Sequence, residues 1–268
     1  MRRFYIPPDQ LQVPDPFLQG DEAKHILQIL RMKKGDRLLL FDNSHQEYQA
    51  VIVSVSGDRV YFEISDRQVT MRESPLQVTL GLPIIRPQHF EWILQKGTEL
   101  GVYAFFPFYS AHSRLNFEKA DLESRMKRWK KIIVEAAKQC QRNVLPELFP
   151  AVPFTGLLEE SRQTLKLIPY EEESSRTLKE LEQQSFSSGT ALALIGPEGG
   201  FHKKEVGQAR EKGFVPISLG PRILRSETAA LALVCLLQFL WGDMGSVNNR
   251  SPKDHPAQGR DSRGEATA

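Results

Sequence analysis

Apolar and polar residues alternate between residues 35 and 64, and this alternation predicts a small antiparallel β unit. Its clearest part is a hairpin that turns at Gly57-Asp58. One face of this hairpin is predicted to carry the alternating apolar residues Val51, Val53, Val55, Val60, Phe62 and Ile64. Just before the β unit, the helical spacing of Ile26, Leu27 and Leu30 predicts a helix over residues 21–31, which Asp21 can cap.

After Pro75 the pattern changes to strands that alternate with helices, which is typical of a parallel sheet. Strands are predicted at 76–82, 102–108, 165–168, 191–195 and 214–219, and helices at 88–100, 122–141, 175–184, 203–212 and 227–241. The polar end of the chain, rich in Gly, Pro and Ser, predicts a disordered tail. We therefore predict a β domain over 1–72, an α/β domain over 73–245 and a tail over 246–268, with the linker at MRESP.

The amino-acid composition argues against several classes of protein. The chain has 268 residues, 40% of them apolar, and no apolar run approaches the ~18 residues of a membrane span. Its start lacks the apolar stretch of a signal peptide, and its two cysteines lack the paired spacing of a disulfide framework or a zinc site. These features favour a cytoplasmic protein with no metal site and no membrane association.

Charge is unevenly distributed although the net charge is only +2. Between residues 125 and 142 there are seven basic residues and one acid, Glu135. Such a helix is either a solvated face or a stripe that binds phosphates, and charge alone does not decide between them.

Two glycine-rich turns follow predicted buried strands, at the position where parallel sheets collect ligands. They are IGPEGGF at 195–201 and SLGPRILRSETAA at 218–230. Glycines allow the backbone to approach a ligand closely, but GPEGG alone is equally compatible with a tight strand-to-helix turn, and the dinucleotide and phosphate-loop spacings are absent. In the second turn Ser226 can cap the last helix. Arg222, Arg225 and Glu227 crowd this turn, and a purely structural helix start does not need the two arginines.

Taken together, these motifs resemble the RsmE family of SPOUT-class methyltransferases, which modify N3 of uridine in small-subunit ribosomal RNA. The resemblance covers nearly everything from Arg3 to Gly245. It is carried by LIGPEGGF (194–201), LGPRILRSETAALA (219–232), HILQILRMKKGDRLLLFD (25–42), QKGTELGV (95–102) and RWKKIIVEAAKQCQRNVLPEL (128–148). One departure is AHSR at 111–114, where His112 stands in place of an expected arginine.

The resemblance implies an α/β fold with a C-terminal SPOUT domain, whose chain forms a trefoil knot, and an N-terminal PUA-like β-barrel that docks RNA. It implies S-adenosylmethionine as cofactor, 16S ribosomal RNA or the small subunit as partner, and a homodimer, for which the apolar helix 227–241 is a candidate interface. The expected cofactor-binding residues are Ile195, Gly196, Glu198, Gly199, Gly200, Leu219, Gly220, Ile223, Leu224 and Thr228. The expected RNA-binding residues are Arg2, Arg3, Arg31, Lys33, Lys34, Lys96, Arg128, Lys131 and Arg142.

For catalysis, Glu198 and Glu227 are the carboxylates nearest the expected site that could take the N3 proton, and Arg222 or Arg225 could stabilise charge on the base. Glu227 could instead only complement the helix dipole, and His25 and His112 are further possible bases. Two other readings stay open: a non-catalytic RNA-binding or ribosome-assembly protein, and an enzyme for another nucleotide-like ligand. Binding of the methyl donor by loops 195–225 would separate the first of these from the methyltransferase.

Overall fold

The computed structural model describes residues 1–111, 119–182 and 189–245. The predicted tail and His112 lie outside these ranges.

The N-terminal sheet has five strands in the order β1-β3-β4-β5-β2. The strands are β1 (Arg2–Tyr5), β2 (Phe17–Leu18), β3 (Arg37–Phe41), β4 (Gln46–Ser56) and β5 (Arg59–Val69). Strands β1 and β3 are parallel, and the other pairs are antiparallel. Two short helices, α1 (Pro8–Leu11) and α2 (Asp21–Lys24), accompany the sheet, whose core includes Phe4, Leu40 and Phe62.

The predicted hairpin turn is present, with Gly57 at φ +62°, but the prediction that Val51 and Val53 share a face with Phe62 is wrong. Strand β4 buries Tyr48, Ala50 and Ile52, whereas Val55 is 44% exposed. Residues 50–53 are all apolar, at odd and even positions alike, so alternation could not identify which face of the strand points inward. The register decides it, because Ile52 pairs with the buried Phe62 and the ladder is irregular immediately afterwards.

The helix predicted over 21–31 is shorter and changes type. Helix α2 passes into a π-helical segment, His25–Ile29, which places the His25 ring against Phe4 with 6.1 Å between ring centroids. Asp21 does not cap the helix: Gly20 holds the cap position, and the Asp21 carboxylate contacts Lys131 Nζ at 2.6 Å.

The C-terminal sheet is parallel, as predicted, in the order β12-β10-β11-β6-β7-β8, with β9 beside β7. The strands are β6 (Gln77–Pro83), β7 (Val102–Tyr109), β8 (Glu147–Leu148), β9 (Val152–Pro153), β10 (Leu165–Pro169), β11 (Thr190–Leu194) and β12 (Val215–Ile217). The alternation had not predicted the short elements α1, β1, β2, β8 and β9.

Helices cover both faces of this sheet. They are α3 (Pro87–Glu99), α4 (Lys119–Cys140), α5 (Phe154–Glu160), α6 (Leu178–Glu182), α7 (Lys203–Glu211) and α8 (Ser226–Trp241). One core contains Phe90 of α3, Trp129 of α4 and Leu233 of α8, and the other contains Leu157 of α5 and Val206 of α7. Helix α5 was not predicted, and α6 begins at Leu178, three residues later than predicted. The knot stays a prediction. Within the described ranges, none of the helices combines the length and apolarity that crossing a bilayer requires.

Candidate active site

A cleft of about 1000 Å³ opens at the carboxyl edge of β6, β11, β10 and β12. Three loops line it, at 169–174, 195–201 and 218–225, together with Arg86 and His89 at the start of α3 and the first turn of α8. The sheet order explains this convergence, because the carboxyl ends of four neighbouring parallel strands deliver their loops to one place.

The cleft brings together most residues that the sequence singled out. Among the expected cofactor-binding residues, its lining includes Ile195, Gly196, Glu198, Gly199, Gly200, Leu219, Gly220, Ile223 and Leu224. The four catalytic candidates, Glu198, Arg222, Arg225 and Glu227, also line it. Thr228 does not, and lies exposed on the first turn of α8.

Two glycines of the cleft adopt the left-handed region. Gly200 has φ +72°, and a Cβ there would lie 2.5 Å from Glu171 Oε1. Gly220 has φ +108°, with open space where a Cβ would project. Within the first turn, the glycine whose φ is positive is therefore Gly200.

A hydrogen bond ties the two glycine-rich loops together. The Ser226 hydroxyl donates to the Gly196 carbonyl oxygen at 2.7 Å. Ser226 is thus not the predicted cap: Arg225 holds the cap position, and Ser226 is the first helical residue of α8. The loop at 195–201 and the start of α8 are fixed relative to each other.

Acidic side chains converge on the cleft from several loops. Glu198 Oε1 lies 3.5 Å from His89 Nδ1 and 3.6 Å from Arg86 Nε, and Glu227 Oε2 lies 3.7 Å from the same His89 nitrogen. Glu173 enters from the loop after β10, where hydrogen bonds from Ser175 lower the pKa of its carboxyl. Glu173, Glu198 and Glu227 together form the acidic wall of the cleft.

The sequence analysis missed His89, Arg86, Tyr170, Glu171 and Glu173 as cleft residues. Ligands bind beyond the carboxyl ends of parallel strands, and this holds for the loops after β6 and β10 as much as for those after β11 and β12. What the sequence lacked was the order of the strands, because that order shows which carboxyl ends are neighbours.

The cleft residues fit S-adenosylmethionine. This cofactor has a sulfonium and an ammonium group that acidic side chains can face, a carboxylate that Arg222 or Arg225 can reach, and an apolar surface that suits Leu219 and Leu224. A Cβ at Gly196 would lie 3.3 Å from the Phe201 ring, so the backbone packs tightly at this point of the turn. The cleft volume is at the upper end of the range for small-molecule sites.

The nine basic residues expected to bind RNA divide into three groups. Arg2, Arg31, Lys33 and Lys34 are exposed. Three others are engaged in ion pairs at or near the surface: Lys96 with Glu99, Arg128 with Glu91, and Lys131 with Asp21. Arg3 and Arg142 are buried by contrast, with side chains only 8% and 7% exposed.

The burial of Arg142 argues against the expected phosphate contact. Its guanidinium donates to the Glu73 carboxylate and to the carbonyl oxygens of Thr98 and Val102, at 3.0 and 2.8 Å. Arg3 of β1 donates to the Arg142 carbonyl oxygen at 2.9 Å and to the Asn143 side chain. Both arginines thus join the N-terminal sheet and linker to the α/β part of the chain.

Comparison with known proteins agrees with this geometry. A model of the RNA methyltransferase domain matches residues 72–238, and a model of the RNA methyltransferase PUA domain matches residues 18–65. The Bacillus subtilis protein named ribosomal RNA small subunit methyltransferase E is 34% identical over 250 residues, which covers 89% of this chain and 96% of that protein. The protein of the same name from Buchnera aphidicola (Acyrthosiphon pisum) is 31% identical, over 90% of this chain and 94% of its own length.

Solved structures that resemble this chain are also methyltransferases. Ribosomal RNA small subunit methyltransferase E from Neisseria gonorrhoeae, bound to S-adenosyl methionine, superposes with a TM-score of 0.80 at 32% identity, over 91% of this chain and 99% of that one. A Legionella pneumophila methyltransferase in complex with the same cofactor superposes with a TM-score of 0.83 at 33% identity, over 90% of this chain and 98% of that one. With a PUA domain ahead of a SPOUT methyltransferase domain and the glycine-turn cleft in place, the chain belongs to the RsmE family of RNA methyltransferases.

Proposed function

We propose that this protein transfers the methyl group of S-adenosylmethionine to N3 of a uridine in 16S ribosomal RNA. The observation that carries the proposal is the cleft at the carboxyl edge of β6, β11, β10 and β12, whose lining contains both family signatures. Its relatives with bound S-adenosylmethionine support this cofactor, and the names of its curated relatives support ribosomal RNA of the small subunit as substrate.

The protein's part in the reaction is to hold and polarise the reactants. When bound, the cofactor supplies an electrophilic methyl group. Loops 195–201 and 218–225 would fix its position, with Ser226 holding the loops together, and the acidic wall would face its positive charge. Arg222 and Arg225 are placed at the same cleft to stabilise the negative charge that develops on the uracil carbonyl oxygens as N3 loses its proton.

The test is to map methylated nucleotides of 16S ribosomal RNA by mass spectrometry in cells with and without the gene. We expect one N3-methyluridine to be lost, and to return when purified protein and S-adenosylmethionine are added to the isolated small subunits. An unchanged methylation pattern would exclude the proposal. A non-catalytic ribosome-assembly protein would instead bind subunits without binding the methyl donor.

We place the division between the two domains at residues 72 and 73, since β5 of the PUA sheet ends at Val69 and β6 of the methyltransferase sheet begins at Gln77. We further propose that the protein acts in the cytoplasm, where small subunits are made.

RNA docking is proposed for the exposed basic group Arg31, Lys33 and Lys34, which precedes β3. Arg31 has φ +52° although it is not glycine, so its backbone is held in an unfavourable conformation by the surrounding structure. Exposed basic side chains on one short segment are suited to phosphate contacts that position RNA without reading its sequence.

We expect Arg31→Ala with Lys33→Ala to weaken binding to small subunits and to reduce the slope of log affinity against log salt by about one to two units, because each lost phosphate contact removes about 0.7 to 0.9. Affinity for S-adenosylmethionine should not change. The matched control is Lys212→Ala, an exposed lysine at the end of α7 and outside the cleft lining. Binding measured across a salt series decides the question: a slope equal to that of the wild type would show that this segment does not dock RNA.

A homodimer is proposed through the outer side of α8. The inner residues of this helix, such as Leu233 and Leu237, are fully buried in the core, but Leu236 and Phe239 are 42% and 63% exposed. Exposed large apolar side chains on a helix whose other face is already packed are typical of a subunit interface.

Phe239→Glu is therefore expected to convert a dimer into a monomer, because it would bury a charge without a partner at the interface. Light scattering at micromolar concentration measures the mass directly. The control is Ile29→Glu, which alters a 71% exposed apolar residue of the π-helical segment, far from α8 in the sequence. A monomeric mass for the wild-type protein would contradict the proposal.

A further inference from the structure

His89 occupies a position in the cleft that the proposed reaction has not yet used. Helix α3 begins at Pro87, immediately after the loop that follows β6, and His89 lies in its first turn. The His89 backbone N–H donates to the Arg86 carbonyl oxygen at 3.1 Å, which fixes its place at the start of the helix. Its side chain lines the same cleft as the two glycine-rich loops.

The two ring nitrogens of His89 have different surroundings. Nδ1 is shielded from solvent and makes no hydrogen bond with any residue that the structure describes. It lies 3.5 Å from Glu198 Oε1 and 3.7 Å from Glu227 Oε2, so that one carboxylate from the loop at 195–201 and one from the first turn of α8 face it. The side chain is nevertheless 32% exposed, and this exposure belongs to the remainder of the ring.

This arrangement selects one tautomer of the neutral ring. A neutral imidazole carries one N–H and one lone pair, and the partner of one nitrogen decides which atom bears the hydrogen. The carboxylates favour N–H at Nδ1, and the lone pair is then on Nε2. The Arg86 guanidinium, whose Nε lies 3.6 Å from Glu198 Oε1, balances part of the negative charge that the ring faces.

We propose that His89 is the base that takes the N3 proton of the target uracil, with Glu198 and Glu227 orienting its ring. This inference rests on the proposed function. In the step, the N3–H bond breaks and a bond from hydrogen to Nε2 forms. The electron pair left on N3 forms the bond to the methyl carbon, and the electron pair of the carbon–sulfur bond returns to sulfur. The imidazolium that results faces two carboxylates, which stabilise its charge.

This assignment gives the two carboxylates a different role from the one expected from the sequence. An imidazole can exchange a proton near neutral pH more effectively than an ordinary carboxylate, because general-base catalysis is most efficient when the base titrates near the working pH. Glu198 and Glu227 both lie close to Nδ1, so they are positioned to orient the ring while Nε2 takes the proton.

The test compares His89→Asn with the wild-type protein. Asparagine can still donate a hydrogen bond from near the Nδ1 position but has no base at the position of Nε2. We expect single-turnover methylation of small subunits to fall by about 10²- to 10⁴-fold, the usual contribution of a general base. Affinity for S-adenosylmethionine, measured by calorimetry, should stay within threefold. The same substitution at His202, whose imidazole accepts the Lys204 backbone N–H at the cap of α7, is the control, because asparagine is also a good cap.

A second measurement does not depend on activity. In protein labelled with ¹⁵N-histidine, the signal that disappears in His89→Asn identifies His89, and its nitrogen shifts should report hydrogen on Nδ1. Glu227→Gln should alter that signal.

The outcomes are separable. If the wild-type protein fails to methylate small subunits, the proposed function fails. If it methylates them, the role of His89 is excluded by a variant rate within tenfold of the wild type, by a loss of cofactor affinity as large as the loss of rate, or by hydrogen on Nε2.

Discussion

Replacing Gly220 with valine is expected to weaken the binding of S-adenosylmethionine about 10- to 100-fold while the protein remains folded. Gly220 has φ +108° in the loop that forms one wall of the cleft. A β-branched residue does not adopt this conformation without strain, so the loop must move to a different path. The cost, about 1 to 3 kcal/mol, is smaller than the stability of a typical domain, and the loss should therefore fall on the site rather than on the fold.

The matched control for this prediction is Gly213→Val. Gly213 also has a positive φ, +83°, with open space around its missing Cβ, but it follows α7 and lies outside the cleft lining. The Gly213→Val variant therefore has the same kind of backbone strain but leaves the cleft loop at 218–225 unchanged. Calorimetry on both folded variants should show loss of binding only for Gly220→Val. Unchanged affinity in that variant would place the methyl donor elsewhere, and equal losses in both would indicate general destabilisation.

The glycine-rich loops could be found in the sequence because their signals are local. A buried strand, a glycine-rich turn and a helix follow one another twice along the chain, first from β11 to α7 and then from β12 to α8. The family resemblance covers the same two stretches. Nearly all the expected cofactor residues lie in one cleft for this reason. Thr228 is the exception, because one further step along α8 turns its side chain away.

His89 could not be found in the same way, because its role depends on sheet order. Strands β6 and β11 are neighbours although more than 100 residues separate them. Only this pairing brings the start of α3 to the loop at 195–201. Periodicity establishes that a helix follows β6, but it does not say which loops that helix will meet.

The same limit applies to the basic residues. Lys33 and Arg142 look alike in the sequence, yet one is exposed and the other is buried against Glu73. Only packing between the two domains distinguishes an arginine that meets solvent from one that is enclosed. Charge counting therefore overestimates the RNA-binding set.

The burial of these charges leads to the second large effect, at the junction between the domains. Glu47 of β4 is 2% exposed and accepts hydrogen bonds from Arg3 and from Arg72, the latter at 2.6 Å. Arg3 also contacts Asn143, and Arg72 donates to the Gln141 carbonyl oxygen at 3.1 Å. One carboxylate thus holds two arginines that connect β1 and the linker to the end of α4.

Glu47→Gln is expected to lower the free energy of unfolding by about 3 kcal/mol at pH 7, because removing one partner of a buried ion pair leaves the other charge uncompensated. Burial alone would raise the pKa of Glu47, but the hydrogen bonds and charges of Arg3 and Arg72 outweigh it and hold the pKa below its usual value. A depressed pKa means that the ionised carboxylate stabilises the folded state. This stabilisation is complete above the ordinary glutamate pKa of about 4.3 and is lost as the pH falls through the lower folded value.

Urea unfolding from pH 7 down to pH 3 therefore has a defined expected result. The difference between the wild type and Glu47→Gln should be large at pH 7 and should shrink below about pH 4, because protonation of Glu47 makes the wild type resemble the variant. The control is Glu63→Gln, an exposed glutamate on the neighbouring strand β5, which should change stability by less than about 0.5 kcal/mol. A difference that is the same at every pH would mean that the amide disturbs packing rather than charge. No difference at pH 7 would show that Arg3 and Arg72 do not depend on Glu47.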